Sequence, residues 1–191
     1  MSFEVKLITK KETWDDFLET QTYTLMTQAW EYGDFYKSQG EEAWVLGVYD
    51  KDTLIGGAMV VSVHAKRGNF LFLPYGPIGE MPDEAHSVLF DYLKKKGKKE
   101  GYHFIRVSPF EDESVEKTYE KYGFRHAPIH MLAETTWLLD LSPQAEDLLK
   151  AMNKNHRNLI RRCERDGVII KSFTDKKALE QFNVLHDETA K

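Results

Sequence analysis

Residues 43–74 have the sequence AWVLGVYDKDTLIGGAMVVSVHAKRGNFLFLP, and their pattern decides the fold. Runs of β-branched and aromatic residues predict strands over Ala43–Tyr49, Leu54–Ala65 and Phe70–Leu73. Polar turns rich in Asp, Lys, Gly and Asn separate these runs. We therefore expect three consecutive strands joined by short turns.

Helical and strand-like segments flank this stretch on both sides. Apolar spacing, capping residues and glycines at helix ends define them. The predicted segments are strand Phe3–Ile8, a helix from the capping box Thr9–Glu12 to about Thr20, helix Thr27–Ser38, a helix from Pro82–Asp83 to Gly97 or Gly101, strand Phe104–Val107, helix Glu113–Tyr122 ended by Gly123, and strands Phe124–His126 and Leu132–Leu139. The order β-α-α-β-β-β-α-β-α-β-β predicts an α/β protein, with a mixed (α+β) sheet that carries helices on its faces.

The pattern changes after Asp140, so we expect a first domain over residues 1–140 and the beginning of a second over 141–191. A basic helix from Ser142–Pro143 to about Arg165, continuous or broken near Asn153–Asn155, precedes strand Val168–Ser172 and a last helix capped by Thr174 or Asp175. One strand between two helices has no partner for its ladder groups. We therefore expect this domain to be incomplete, with apolar surface exposed over Val168–Leu185 unless a partner or further chain covers it.

Composition narrows the class of protein. The 191 residues are 41% hydrophobic and 30% charged, with a net charge of −5 and one cysteine. These values exclude a disordered chain, a disulfide scaffold, a multi-cysteine metal site and a general nucleic-acid binder. No apolar stretch is long enough to cross a bilayer, and the N-terminus has no signal pattern. We expect a cytoplasmic globular protein.

A stripe of basic residues is the strongest chemical feature. Lys150, Lys154, Arg157, Arg161 and Arg165 fall within about 80° of one another on a helix that turns roughly 100° per residue. Such a stripe suits the phosphates of RNA or of a pyrophosphate-bearing small molecule. It is equally consistent with the solvated face of an amphipathic helix.

Two other segments are candidates for a ligand cleft. The loop Tyr75–Gly79 follows a strand and precedes a helix, where α/β proteins bind ligands, although it also suits a tight turn. Tyr32, Tyr36 and Lys37 could line a cleft that stacks a base or sugar, or could form a solvated helix end. The histidines are scattered and predict no metal site, and Cys163 is better explained by packing than by nucleophilic chemistry.

Several phrases, in this order and spacing, resemble the FemABX family of non-ribosomal peptidyl (aminoacyl) transferases, whose members consist of two GNAT-like domains. The resemblance extends over about Phe17–Thr189. The matching phrases are Thr27–Phe35 (TQAWEYGDF), Leu73–Ile78 (LPYGPI), Arg106–Pro109 (RVSP), Tyr122–Phe124 (YGF), Thr136–Leu141 (TWLLDL), Asn155–Arg162 (NHRNLIRR) and Asp166–Val168 (DGV).

The resemblance implies a bacterial enzyme that transfers an amino acid from aminoacyl-tRNA to a peptidoglycan precursor, either a UDP-linked muramoyl pentapeptide or its lipid-linked form. Aminoacyl-tRNA would be a co-substrate, with no cofactor and no metal, and the reaction would take place in the cytoplasm or at the inner face of the membrane. The residues expected to contact the precursor are Tyr32, Tyr36, Lys37, Tyr75, Gly76 and Arg106. The basic stripe would contact tRNA or the precursor's pyrophosphate.

The catalytic group stays unassigned. Some family members carry an aspartate two residues after the position of Arg106, and this chain has Ser108 there. Two alternatives remain open. The fold order also fits an acyl-CoA-dependent N-acyltransferase, although the proline in Tyr75–Gly79 removes an amide donor. A non-catalytic module that binds a precursor or RNA is the other.

Overall fold

A computed structural model describes residues 3–66, 68–109, 115–133 and 135–190. The chain divides into two compact units, Met1–Glu134 and Thr135–Lys191. No helix in the described ranges is both long enough and apolar enough to cross a bilayer.

The first unit contains a five-stranded mixed sheet, which confirms the predicted α/β class. Neighbouring strands are antiparallel except for the last pair, which is parallel. In sheet order, which is also chain order, the strands are β1 (Phe3–Ile8), β2 (Ala43–Asp50), β3 (Thr53–Ala65), β4 (Gly68–Pro74) and β5 (Phe104–Ser108).

This unit contains four α-helices. α1 (Lys11–Glu19) and α2 (Trp30–Ser38) lie between β1 and β2, α3 (Asp83–Glu100) connects β4 to β5, and α4 (Val115–Glu120) follows β5. The predicted end of α3 is confirmed by Gly101, whose φ of 81° is a left-handed conformation that glycine adopts easily. α4 ends at Glu120, two residues before the predicted end at Tyr122, and Gly123, with a φ of 84°, closes the turn that follows. The predicted start of α4 at Glu113 lies outside the described residues.

Two predicted helix starts are wrong. The capping box does not form, because the residue before α1 is Lys10 and no side chain caps that helix. The helix predicted from Thr27 begins at Trp30 instead. A short 3₁₀ turn, Met26–Gln28, occupies the preceding residues, and Ala29 is extended with ψ of 146°.

Each face of the sheet carries its own apolar core, because alternate residues of a strand point to opposite faces. Leu71 and Leu73 of β4 belong to the core that includes Leu89 and Phe90 of α3. Phe72, between them, belongs to the other core, with Met59, Val61 and the fully buried Trp14 of α1. Trp30 and Tyr36 of α2 pack against this second core.

The second unit contains three helices, α5 (Ala145–Ala151), α6 (Lys154–Arg165) and α7 (Lys176–Thr189). The break between α5 and α6 lies where the sequence allowed one. Asn153 begins α6 by accepting a hydrogen bond from the backbone N–H of Asn155 at 2.9 Å. Asp175 caps α7, as predicted, by accepting from Ala178 N at 2.9 Å.

Three predicted strands do not form in the described residues: Phe124–His126, Leu132–Leu139 and Val168–Ser172. Their composition favours strand, but a strand is held by hydrogen bonds to a neighbouring strand, and none of the five strands pairs with them. The expected exposure of apolar surface is confirmed, since Val168, Ile169 and Ile170 are 58%, 75% and 93% exposed.

Candidate functional site

The strongest candidate site lies at the carboxyl end of β4, where the ladder between β3 and β4 is interrupted. The regular register pairs Val61 with Phe72, and its continuation would pair Met59 with Pro74 and Gly57 with Gly76. Gly57 instead forms a bridge with Ile78, two residues further along the chain. Two extra residues are therefore accommodated on the β4 side, in a bulge, a feature often found beside active sites.

Buried polar side chains hold this bulge. Gln28 is fully buried, and its Oε1 accepts from the backbone N–H of Met59 at 2.9 Å. Its Nε2 donates to the carbonyl oxygen of Pro74, which also accepts from Thr27 Oγ1 at 3.2 Å. Trp14 Nε1 donates to the carbonyl oxygen of Gln28 at 2.6 Å, which fixes the 3₁₀ turn against α1.

Tyr75 and Gly76 form the projecting part of the bulge. Tyr75 has a φ of 49°, and its hydroxyl donates to the carbonyl oxygen of Ala133 at 2.9 Å. A Cβ on Gly76 would lie 2.8 Å from Gln28 Nε2, so glycine is needed for this close approach. The Gly76–Pro77 peptide bond is cis. The structure thus places both predicted residues at the end of β4, where Pro74 is in register with Ser108 of β5.

Arg106 lies on the neighbouring strand, in register with Phe72. Its neighbours Ile105 and Val107 pack against the core on the α3 side, so Arg106 points to the face that carries α2. The Nε atom is buried and has no hydrogen-bond partner among the described residues. A buried donor without an acceptor is costly, which suits a site that receives an anionic or carbonyl-bearing ligand.

The predicted site residues of α2 differ in their surroundings: Tyr36 packs against the sheet, whereas Lys37 lies on the helix surface. Tyr36 packs on the same core as Phe72, and burial raises the pKa of its hydroxyl. The rings of Tyr32 and Tyr36 are in edge contact, with centroids 5.2 Å apart. Lys37, about half exposed, instead pairs with Asp34 at 3.1 Å, and its Nζ lies 5.9 Å from the Trp30 ring. The structure therefore brings Tyr36 and Arg106 to one face, whereas Lys37 is engaged on the helix surface.

The start of α3 is acidic, although helix N-termini commonly bind phosphates. Asp83 and Glu84 occupy its first turn. Asp83 accepts from the hydroxyl of Tyr122 at 2.9 Å and pairs with Lys121 at 3.2 Å, and both contacts hold its pKa below the usual value. The preceding loop offers few free donors, because the amide of Ile78 already bonds to Gly57. This terminus is poorly suited to the diphosphate of an acyl-CoA.

The basic stripe lies on two helices, so the prediction of one continuous face is wrong. Lys150 belongs to α5 and pairs with Asp147 at 3.0 Å. Arg157 Nη1 donates to the carbonyl oxygens of Lys150, at 2.7 Å, and Met152, and so caps the end of α5. The break at Met152 turns the chain between the two helices, which is why the helical spacing fails there.

Three members of the stripe stay together on α6. Lys154, Arg161 and Arg165 are exposed, share one helix face and form no ion pair with a described carboxylate. Cys163 on the same helix is also exposed, so its predicted packing role is not seen in this unit. No cluster of metal-ligating side chains exists in the part of the chain that the structure describes.

Thr27 and Gln28 are the site residues that sequence reasoning missed. They lie in the phrase TQAWEYGDF, but the helical interpretation of residues 27–38 placed them on an ordinary first turn. A buried glutamine is recognised only from its contacts with Met59 and Pro74, which are 31 and 46 residues away in sequence. No local pattern predicts such contacts.

Comparisons with known proteins give a family and a fold. The FemAB family model matches residues 8–191. The crystal structure of FemX superposes with a TM-score of 0.75 at 16% identity, and the match covers 95% of this chain and 48% of that one. Glucosamine-6-phosphate N-acetyltransferase from Arabidopsis thaliana superposes with a TM-score of 0.51 at 12% identity, and the match covers 71% of this chain and 100% of that one.

These structural matches confirm the predicted GNAT-like fold. The chain spans about half the length of the FemX structure that it matches. No curated protein matches the sequence.

Proposed function

This chain belongs to the FemAB family, and from that premise we propose that it acts in moving an amino acid from aminoacyl-tRNA to an amine on the stem peptide of a peptidoglycan precursor. The observation that carries the proposal is the family match over residues 8–191. The family and the acetyltransferase-like fold support a transferase. The donor, the acceptor and the site residues are parts of the proposal.

The reaction is the attack of a primary amine on the ester of aminoacyl-tRNA. The amine must lose a proton, and the oxyanion of the tetrahedral intermediate must be stabilised. Neither step demands a covalent enzyme intermediate, and positioning two phosphate-rich substrates can supply much of the rate. We assign no proton acceptor, since Ser108 stands where some family members have an aspartate.

The precursor is proposed to bind at the end of β4 and β5, between the bulge and α2. Tyr75 and Gly76 would border the ligand, Tyr36 would provide an apolar wall, and Arg106 would donate to a phosphate or carboxylate. The unpartnered Nε of Arg106 supports this assignment. Tyr32 and Lys37 are kept as peripheral contacts, because Lys37 would first have to leave Asp34.

The exposed cations of α6, Lys154, Arg161 and Arg165, are proposed to contact the tRNA donor or the precursor's pyrophosphate. Their side chains are exposed and without a described counter-ion, which supports an interaction with phosphates. Lys150 and Arg157 contribute charge nearby, although both side chains have partners within the unit. We place the protein in the cytoplasm, at the inner face of the membrane when the acceptor is lipid-linked.

Binding of the precursor tests the proposed site. Calorimetric titration of the 191-residue chain with UDP-linked muramoyl pentapeptide should give a saturable isotherm. Arg106→Gln should weaken binding about 10- to 100-fold, because a charge-assisted hydrogen bond contributes about 1.5–3 kcal/mol. The matched control is Arg125→Gln, an exposed arginine of the same unit, which should leave the affinity unchanged.

Equal affinity of the Arg106 variant and the wild type would remove Arg106 from the site. Transfer of a radiolabelled amino acid from aminoacyl-tRNA to the precursor tests the activity itself. Binding without transfer would favour the non-catalytic module.

An acyl-CoA-dependent N-acyltransferase is the second candidate, which the fold favours. The acidic start of α3 argues against it, because the carboxylates of Asp83 and Glu84 would repel a diphosphate at that helix end. Coenzyme A should therefore leave the thermal unfolding midpoint unchanged. A midpoint that rises with coenzyme A concentration would restore this candidate.

A further inference from the structure

The side chain of Gln28 replaces a backbone hydrogen bond that is missing between β3 and β4. Ser62 donates its amide N–H to the carbonyl oxygen of Glu42, on the β2 side. Because successive residues of a strand direct their amides to opposite neighbours, the N–H of Met59, three residues away, points towards β4. Continuing the register of Val61 and Phe72 would join the amide of Met59 directly to the carbonyl of Pro74. Instead, the side-chain amide of Gln28 lies between them, accepting from Met59 and donating to Pro74.

The inserted side chain separates the end of β4 from the middle of β3 while keeping the Met59 amide and the Pro74 carbonyl satisfied. Beyond it the two strands meet again, since Gly57 donates to Ile78 O at 3.0 Å and accepts from Ile78 N at 2.8 Å. Tyr75 and Gly76 lie between these two fixed points. The bulge is thus clamped at one end by Gln28 and at the other by the Gly57–Ile78 bridge.

We propose that Gln28 is a positioning residue: its buried amide holds the Tyr75–Gly76 bulge in the shape that binds the acceptor substrate, without touching that substrate itself. This inference rests on the proposed function for the identity of the ligand. Its geometric part stands on the contacts of Gln28 alone. Thr27 supports the same role more weakly, since its hydroxyl is a second donor to Pro74 O.

Without the side-chain amide of Gln28, nothing keeps β3 and β4 apart at the bulge. A side chain of similar size without hydrogen-bonding groups leaves the buried Met59 amide without an acceptor and the Pro74 carbonyl with the Thr27 hydroxyl as its remaining donor. The cheapest relief is for β3 and β4 to approach and bond directly, which would move Tyr75 and Gly76. The change should therefore affect the acceptor site and spare contacts made elsewhere on the molecule.

The test compares Gln28→Met with the wild type and with the control Gln39→Leu. Gln39 is exposed, and its side chain bonds, among the described residues, only to Ser38, at 3.2 Å. Gln28→Met should weaken binding of the UDP-linked muramoyl pentapeptide at least tenfold and speed hydrogen exchange of the Met59 amide at least tenfold, whereas Gln39→Leu should change neither. In transfer assays, KM for the precursor should rise and KM for aminoacyl-tRNA should stay constant.

Unchanged precursor affinity in a folded Gln28→Met variant would overturn the proposal, and so would an equal rise in both KM values, which indicates a change that is not confined to the acceptor site. If Gln28→Met does not fold, Thr27→Val decides, with a smaller loss of affinity expected and equal affinity counting against the proposal. A wild-type chain that binds no precursor would overturn the proposed function instead. Exchange of the Met59 amide would then still decide whether Gln28 holds the bulge.

Discussion

At the scale of single residues, the hydrogen bond between Tyr122 and Asp83 couples the region after α4 to the start of α3. The Tyr122 hydroxyl and the Lys121 ammonium lower the pKa of Asp83. Burial and the bond to Asp83 raise the pKa of Tyr122 to about 12. Each shift makes the free energy of unfolding of the first unit depend on pH: stability is lost at acidic pH as Asp83 is protonated and at alkaline pH as Tyr122 is deprotonated.

The acidic side of this dependence gives a prediction. Because the folded pKa of Asp83 lies below its unfolded value of about 3.9, its contribution is complete above that value and is lost as pH falls through the folded pKa. The urea midpoint should therefore decline below pH 4, and Tyr122→Phe should decline less steeply over the same range. The measurement is a series of urea unfolding curves at about eight pH values between pH 2.5 and 7. Parallel curves for both proteins would contradict the assignment.

Replacing two glycines by alanine distinguishes a glycine required by close packing, Gly57, from a helical glycine that alanine can replace, Gly97. A Cβ on Gly57 would lie 2.2 Å from the carbonyl oxygen of Leu46, a backbone atom that cannot move aside cheaply. Gly57→Ala should therefore lower the free energy of unfolding by about 1–3 kcal/mol or more. In α3, a Cβ on Gly97 would meet ordinary contacts at 3.7 and 3.8 Å. Gly97→Ala is the matched control and should raise the free energy of unfolding by about 0.5–1 kcal/mol. Chemical denaturation measures both.

At the scale of secondary-structure elements, the break between α5 and α6 gives the basic residues different roles. Arg157 caps α5, whereas Arg161 and Arg165 are exposed on α6. The double variant Arg161→Glu/Arg165→Glu should weaken tRNA binding and lower the slope of log affinity against log salt by about 1–2. Filter binding at several salt concentrations measures the slope. A slope equal to that of the wild type would show that Arg161 and Arg165 do not contact the phosphates and form only a solvated helix face.

The same elements show what sequence can and cannot predict. β2, β3 and β4 were predictable because their apolar runs and polar turns are local, and Gly101 was predictable as a left-handed residue after a helix. The three failed strands have suitable composition, but strand formation depends on a partner that composition does not specify. The role of Gln28 depends on the distant residues Met59 and Pro74, so only the folded sheet reveals it.

At the scale of the whole molecule, the two units differ in what holds them. The first unit buries large side chains on both faces of its sheet, among them Trp14, Phe72 and Phe90. None of the described residues 135–190 is buried within the second unit. Since burial of apolar surface is the main force that stabilises folded proteins, the helices of the second unit depend on local hydrogen bonds, caps and ion pairs.

This difference predicts unequal protection along the chain. Amides of β2 and of the regular β3–β4 ladder, Val61–Ala65 with Gly68–Phe72, should exchange with solvent only through global unfolding, whereas those of α5, α6 and α7 should exchange at least 100-fold faster through local opening. Hydrogen exchange followed by mass spectrometry measures both sets in one experiment. The exposed apolar segment should also bind an apolar dye, and Ile170→Lys should reduce that binding while leaving the thermal midpoint of the first unit unchanged. Equal protection of the two units would show that the second unit's apolar side chains, Ile170 among them, are covered in solution, and the search for what covers them would begin with self-association of the chain.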